Sequence, residues 1–247
     1  MTFKTPICFL GFLGICGILA ALAPALLAQA GGGEAAMPPK PAASADSEAV
    51  AALSLAARAA EEGRKSGSPF ALAAAAEILS SVQVTDTGRL KESESEGSGG
   101  PSPEPPASAG AASRLDAAAL YAEAAAAARK VSDEHLAESI SQAAAAAGTR
   151  QPASGHGGRH RDRVNPNTTD IYTVRYNGNE LARTTVVAEE NADLDLYVYD
   201  SAGALVAYDN DPTGIGICVW MPQRTDDFRI RVKNMTGGFV HYLIFTN

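Results

Sequence analysis

The run Asp193-Leu194-Asp195-Leu196-Tyr197-Val198-Tyr199-Asp200 alternates along its whole length. In an extended chain Leu194, Leu196 and Val198 fall on one face, and Asp193, Asp195, Tyr197 and Tyr199 on the other. That period of two, with β-branched and aromatic content, defines a half-buried strand. It also sets a problem. Asp193 and Asp195 share a strand face, like charges there repel, and Asp is a poor strand former. The face calls for a compensating group, and a cation is one candidate.

The same texture extends over the last third of the chain. Short alternating runs occupy 171–176, 181–188, 193–199, 204–208, 215–221, 227–233 and 239–246, with Gly, Asn, Asp and Pro clusters between them. Seven short strands with no helical pattern between them predict an antiparallel β-sandwich over 159–247. Within 227–233, Phe228, Ile230 and Val232 make a core face, while Arg229, Arg231 and Lys233 make a solvated one.

Upstream the period changes and alanine dominates. Residues 45–84 and 113–148 each predict a helical hairpin, about four helices in all. In the first, Asp46 or Ser47 is the expected cap, and Val50, Leu53 and Ala57 share a face. Ser68-Pro69 restarts the chain as cap and first helical residue, and Phe70, Ala74, Ile78 and Val82 follow at helical spacing. In the second, Ser113 and Asp116 resemble a capping box. Leu115, Ala119, Ala122 and Ala126 line one side, and Ser132-Asp133-Glu134 opens the next helix. Alanine gives high helix propensity but little area to bury. The helices should therefore form readily and pack weakly, docking on the C-terminal part or on a partner. The fold class is thus α+β as separate parts: Ala-rich helical hairpins, then a sandwich.

Two segments read as connections. Residues 85–112 are rich in Ser, Glu, Gly and Pro and are expected to be a disordered linker. Residues 149–158 are a second linker, carrying Gly155-His156-Gly157-Gly158. His156 and His160 have the spacing of a helical metal pair, but the glycines argue against a helix there.

Residues 1–30 read as a signal peptide, with Lys4, an apolar run interrupted by Pro24, and the small-x-small end Ala28-Gln29-Ala30. A retained membrane anchor is the alternative. Residues 31–44 read as a flexible tether. Cleavage removes Cys8 and Cys16 and leaves Cys218 alone, so the mature chain has no intramolecular disulfide. Cys218, within Ile217-Cys218-Val219-Trp220, is expected to be a buried small residue. The net charge is −8, and the basic run 159–163 is interrupted by Asp162, so nucleic acid is not an expected partner. Nor is a membrane, once the leader is cleaved. The expected location is periplasmic or extracellular.

The C-terminal segment resembles the bacterial pre-peptidase C-terminal domain family. The residues that carry the resemblance are Asp193 to Asp200, Gly203-Ala204-Leu205-Val206-Ala207 with Asp209-Asn210-Asp211, Cys218-Val219-Trp220-Met221-Pro222, Phe228-Arg229-Ile230-Arg231-Val232, and Tyr242. Thr225-Asp226-Asp227-Phe228 departs from the Thr-Gly-x-Tyr common in that family, and no protease domain precedes the segment. The resemblance implies a jelly-roll-like sandwich that serves as a non-catalytic binding or stabilising module on an exported protein. In some relatives such modules bind calcium or polymers.

Three chemistries follow. Asp193, Asp195, Asp209 and Asp211 could converge on Ca²⁺, an ion that takes six to eight oxygen ligands; the alternative is that they are turn and edge residues. Tyr197 and Tyr199 could bind a sugar or peptide by stacking, unless the helices cover their face. No nucleophile elbow, zinc-protease motif or phosphate loop is present, so catalysis is not expected. The expected function is an exported, non-catalytic binding or scaffolding protein with a calcium-assisted sandwich. Its expected partner is an extracellular or envelope protein or a polysaccharide. The alternative is an accessory or degenerate component of a secreted hydrolase.

Overall fold

The computed structural model describes residues 43–95, 114–149, 155–189 and 191–247. The expected leader at 1–30, nearly all of the tether, and linker residues 96–112 lie outside the described residues.

Four helices come first among these: α1 (Ala45–Ser66), α2 (Pro69–Ser81), α3 (Ala117–Lys130) and α4 (Glu134–Ala147). Each starts at a side-chain cap that satisfies an otherwise orphaned backbone N–H. Ser44, rather than Asp46 or Ser47, accepts from Ser47 N at 3.2 Å. Ser68 caps α2 with Pro69 next to it. Asp116 caps α3, accepting from Ala119 N at 2.8 Å, while Ser113 of the expected capping box lies outside the described residues. Asp133 caps α4. Gly67 closes α1 in the left-handed region at φ 68°, with its N–H on the Gly63 carbonyl.

The buried faces of α2 and α3 differ from the expected ones. Leu72, Ala75 and Ala76 are buried on α2, while Phe70 is 68% exposed. On α3 the buried set is Leu120, Tyr121, Ala124, Ala125 and Ala128. Where most positions are alanine, the apolar stripe has too little contrast to fix a face, and close approach decides instead. Gly63 shows how close: a Cβ there would lie 2.8 Å from Leu72 Cγ.

Ten strands form two five-stranded sheets: β1 (Gln83–Asp86), β2 (Glu92–Ser95), β3 (His156–Val164), β4 (Thr168–Tyr176), β5 (Ala182–Ala188), β6 (Leu194–Tyr199), β7 (Leu205–Asp209), β8 (Ile215–Trp220), β9 (Asp226–Asn234) and β10 (Val240–Thr246). The first sheet runs β1-β3-β10-β5-β8 and the second β2-β4-β9-β6-β7. From β3 onward the chain crosses between the sheets in the order of an eight-stranded jelly roll, as expected for 159–247. All pairings are antiparallel except β1 with β3.

Three strands lie outside the expected seven. β2 and the second half of β1 fall where a disordered linker was expected, the first half of β1 at the end of the expected hairpin, and the two strands continue the edges of the two sheets. Their backbone groups pair with β3 and β4, which outweighs a composition poor in apolar residues. β3 includes Gly157 and Gly158 of the second expected linker. The glycines there serve packing: a Cβ on Gly157 would stand 2.7 Å from Leu53 Cδ1, so α1 can lie directly on the strand.

The sandwich core lies between the sheets and includes Leu194, Leu196, Val198, Ile230, Val232, Tyr242 and Ile244. At one end Tyr176 meets Trp220 edge to face at 4.7 Å, and Phe228 packs against both rings. Cys218 is buried as expected, and burial, with Asp209 adding to it, pushes its thiol up to about 12. A separate cluster holds the helices on the outer face of the first sheet. Val50, Leu53 and Ala57 of α1 pack on Val187, Ile215, Leu243 and Phe245. Two polar contacts fix the register of that docking: Ser54 Oγ to Thr185 Oγ1 at 2.6 Å, and Arg183 Nε donating to Ser47 Oγ at 3.1 Å.

Candidate functional site

The helices cover the first sheet, so the tyrosines of β6, which lie on the second, are not an interdomain core. Leu194, Leu196 and Val198 point into the sandwich, as their near-zero exposure shows, so Asp195, Tyr197 and Tyr199 point outward. Strand register builds the rest of this outer face. Tyr208 of β7 stands opposite Tyr197, and their rings stack with centroids 6.4 Å apart at 19°. Arg231 of β9 stands opposite Tyr197 on the other side, and Arg229 opposite Tyr199. The Arg231 guanidinium lies 5.9 Å from the Tyr199 ring centroid and donates to Glu94 Oε2 of β2 at 2.6 Å. Tyr208 is 60% exposed, and Leu205 and Val206 beside it are also exposed. A tyrosine–arginine row thus crosses β7, β6 and β9, with Glu94 of β2 reaching its end.

Tyr208, Arg229 and Arg231 were not expected to belong to a site. Arg229 and Arg231 carry a signal, the alternation of 227–233, which assigns them to the outer face; Tyr208 ends the uniformly apolar run Ala204-Leu205-Val206-Ala207, which assigns it to neither face. What sequence does not supply is the strand order that sets those faces side by side.

The four expected calcium ligands are not brought together. Asp209 pairs with Leu196, so its side chain shares the core-facing side of the sheet. It accepts from Ile217 N of the opposite sheet at 2.8 Å. Asp195, one residue from Leu196, faces the other way. Asp195 and Asp209 therefore lie on opposite faces of one sheet, while Asp193 and Asp211 flank the strands. Among the described residues no group of three or more His, Cys, Asp or Glu is placed to hold a metal ion.

Each aspartate has a local role. Asp195 accepts from Tyr197 Oη at 3.0 Å and stands in register with Lys233, an opposite-charge cross-strand pair. The group that the face called for is thus supplied in part by the chain's own lysine. Asp211 N donates to Asp209 Oδ1 at 3.3 Å, a side-chain turn. Asp200 likewise accepts from Ala202 N and Ala204 N. Asp193 Oδ1 is buried without a hydrogen bond, and burial, with Asp195 adding to it, raises its carboxyl above the usual range.

Cavities lie on the helical side as well. One of about 600 Å³ lies between α3 and α4 and is lined mainly by alanines with Tyr121 and Arg129. One of about 100 Å³ lies where α1 meets β5 and β8, beside Arg64 and Arg114. No helix among the described residues is long and apolar enough to cross a membrane.

No family model matches the chain, and no curated protein matches it. Among solved structures it is similar to a de novo designed double-stranded β-helix, at 18% identity over 36% of this chain and 97% of that one, with a TM-score of 0.24. It is also similar to a periplasmic inhibitor of g-type lysozyme from Aeromonas hydrophila, at 16% identity over 40% of this chain and 91% of that one, with a TM-score of 0.30.

Proposed function

We propose that this chain is an exported, non-catalytic binding protein whose partner docks on the outer face of the second sheet. One observation carries the reading: α1 occupies the outer face of the first sheet, while the opposite outer face presents Tyr197, Tyr199, Tyr208, Arg229 and Arg231. Tyrosine and arginine are among the residues that most often dominate binding energy at protein interfaces: tyrosine adds large contact area with few rotatable bonds and a polar tip, and arginine adds a planar fork of donors that also stacks on rings. The face is mixed in charge, and none of the cavities described above opens on it, which suits an envelope or extracellular protein better than a small molecule. Export is supported by the leader pattern of 1–30, and the binding role by the pre-peptidase resemblance of the sandwich.

The test is chemical cross-linking of the purified chain to an envelope extract of the producing cell. Wild type is compared with Tyr208→Ala plus Arg229→Ala, and with Phe70→Ala as a control on the helical side. Loss of one defined adduct in the double variant, with retention in the control, supports the reading. An adduct kept in the double variant, or lost in the control, places binding elsewhere and overturns it.

A further inference from the structure

The segment between β1 and β2 crosses from the edge of one sheet to the edge of the other, and it sends Lys91 inward. Lys91 Nζ lies 2.8 Å from Asp170 Oδ2, 2.7 Å from Asp162 Oδ1 and 2.6 Å from the Arg163 carbonyl oxygen. Asp170 is 1% exposed. Its oxygens also accept from Ser93 Oγ at 2.6 Å and from Tyr242 Oη at 2.9 Å. Asp162 accepts from Arg163 N at 2.7 Å and Tyr172 Oη at 3.2 Å, and its Oδ2 lies 3.2 Å from His160 Nε2. The Tyr172 and Tyr242 hydroxyls are also in contact; with the Tyr242 proton on Asp170, the single Tyr172 proton is divided between Tyr242 Oη and Asp162.

We propose that Lys91 and Asp170 are joined by an intramolecular amide bond, formed autocatalytically with Asp162 as the proton carrier. The parts of the reaction are all present. An amine and a carboxyl are held in contact, which replaces an encounter in solution by an effective molarity on the order of 10⁵ M or more when the alignment is good. Two hydroxyl donors point at the carboxyl oxygens on which charge develops as the amine adds. A second carboxylate touches the same nitrogen and relays protons.

The step balances without a co-reactant. The Lys91 ammonium passes one proton through Asp162 to Asp170, giving a neutral amine and a carboxylic acid. The nitrogen lone pair attacks Cγ of Asp170, and the N–C bond forms. A second nitrogen proton passes through Asp162 to the departing hydroxyl as the C–O bond breaks. Water leaves, the amide keeps one N–H, and Asp162 is again a carboxylate. The product removes one buried ion pair, whose desolvation opposes folding, and leaves the net charge of the cluster unchanged.

The link has a structural use. β2 is four residues long, exposed throughout and, among the described residues, paired only with β4. Such a strand is held weakly at a sheet edge. Cys218 is the sole cysteine after residue 30, so a disulfide cannot anchor it. An amide at Lys91, next to Glu92, ties β2 to β4 covalently.

The test is mass spectrometry of the full chain, purified and denatured. Expected for wild type is a mass one water lower than the sequence requires, a cross-linked peptide joining Lys91 to Asp170, and no tryptic cleavage after Lys91. Lys91→Arg keeps the charge and should show the full mass. Asp170→Asn should lose ammonia instead of water, which identifies the acyl donor. Asp162→Asn should slow or abolish the link while retaining the fold by circular dichroism. Wild type at its full sequence mass, with cleavage after Lys91, overturns the proposal. A link to Asp162 overturns the assignment of the two carboxyls, and an undiminished link in Asp162→Asn overturns its role as carrier.

Discussion

Leu53→Ala tests whether helices and sandwich stabilise each other. Leu53 is 1% exposed and lies on Gly157, within the cluster that joins α1 to Val187, Ile215, Leu243 and Phe245. Truncation removes three carbon groups, about 2.4 kcal/mol at about 0.8 per buried group. The rigid sheet below cannot collapse into the space, so the cavity raises the total to about 3–4 kcal/mol. For a unit of this size, at about 2–4 °C per kcal/mol, the midpoint should fall by about 6–16 °C. The assay is thermal unfolding followed at once by far-ultraviolet circular dichroism for the helices and by Trp220 fluorescence for the sandwich. Both probes should move together. Leu72→Ala, in the core shared by α2 and α3, serves as the comparison, because Leu72 belongs to the cluster within the helices. If Leu53→Ala lowers the helical transition and leaves the Trp220 transition at its wild-type midpoint, the coupling argument is wrong.

Unfolding in millimolar Ca²⁺ and then in chelator should give the same midpoint, since Asp195 and Asp209 lie on opposite sheet faces; a rise of several degrees with Ca²⁺ would restore a metal site. Asp193→Asn should raise the midpoint at pH 7. Burial and Asp195 raise this carboxyl in the folded state, so its ionisation costs stability as pH rises through the raised value, and wild type and variant should converge below about pH 4. Asp162, with Lys91 as a free ammonium, runs the other way: burial raises it, but the donors Lys91, Arg163 N and His160 together outweigh burial and hold it below the usual range. Its contribution is complete above about pH 4 and is lost as pH falls through the lowered value, so acid unfolding should be shallower in Asp162→Asn. Gly155→Ala should destabilise by about 3 kcal/mol, because φ is +116° and a Cβ would stand 2.4 Å from the Ala45 carbonyl oxygen; a midpoint within a degree or two of wild type would show that the start of β3 can move away from α1.

The sandwich was legible where strands have one dry and one wet face. In 193–199 and 227–233 the alternation names the inward residues correctly, because the outer face of the second sheet is not covered by the helices. It was less legible where both faces are dry. Val186-Val187-Ala188 and Leu243-Ile244-Phe245 are continuous apolar runs because α1 covers their outer side. Those runs were the available signal that the helices dock on this sheet. The strands β1 and β2 left no such trace, since their stability comes from backbone pairing and from Lys91 rather than from apolar side chains. The cluster of Lys91, Asp162 and Asp170 joins residues up to 79 positions apart, and no local pattern announces it. The alanine helices were legible in extent and caps but not in face: Phe70 and Leu115 stood out in sequence, yet the buried contacts of α2 and α3 fall mainly on Leu72, Leu120 and alanines.

The placement of the helices and the composition of the two sheet faces explain each other. An alanine-rich α1 buries little area per residue, so it needs a partner that is apolar and flat. The first sheet meets that need with Val187, Ile215, Leu243 and Phe245, and with Gly157 where the helix comes closest. The second sheet could not take its place. Arg229, Arg231 and Asp195 would be desolvated beneath a helix that offers no partners for them. The charges on 227–233 therefore direct the helices to the other sheet, and the tyrosine–arginine row stays accessible for a partner that brings its own polar groups.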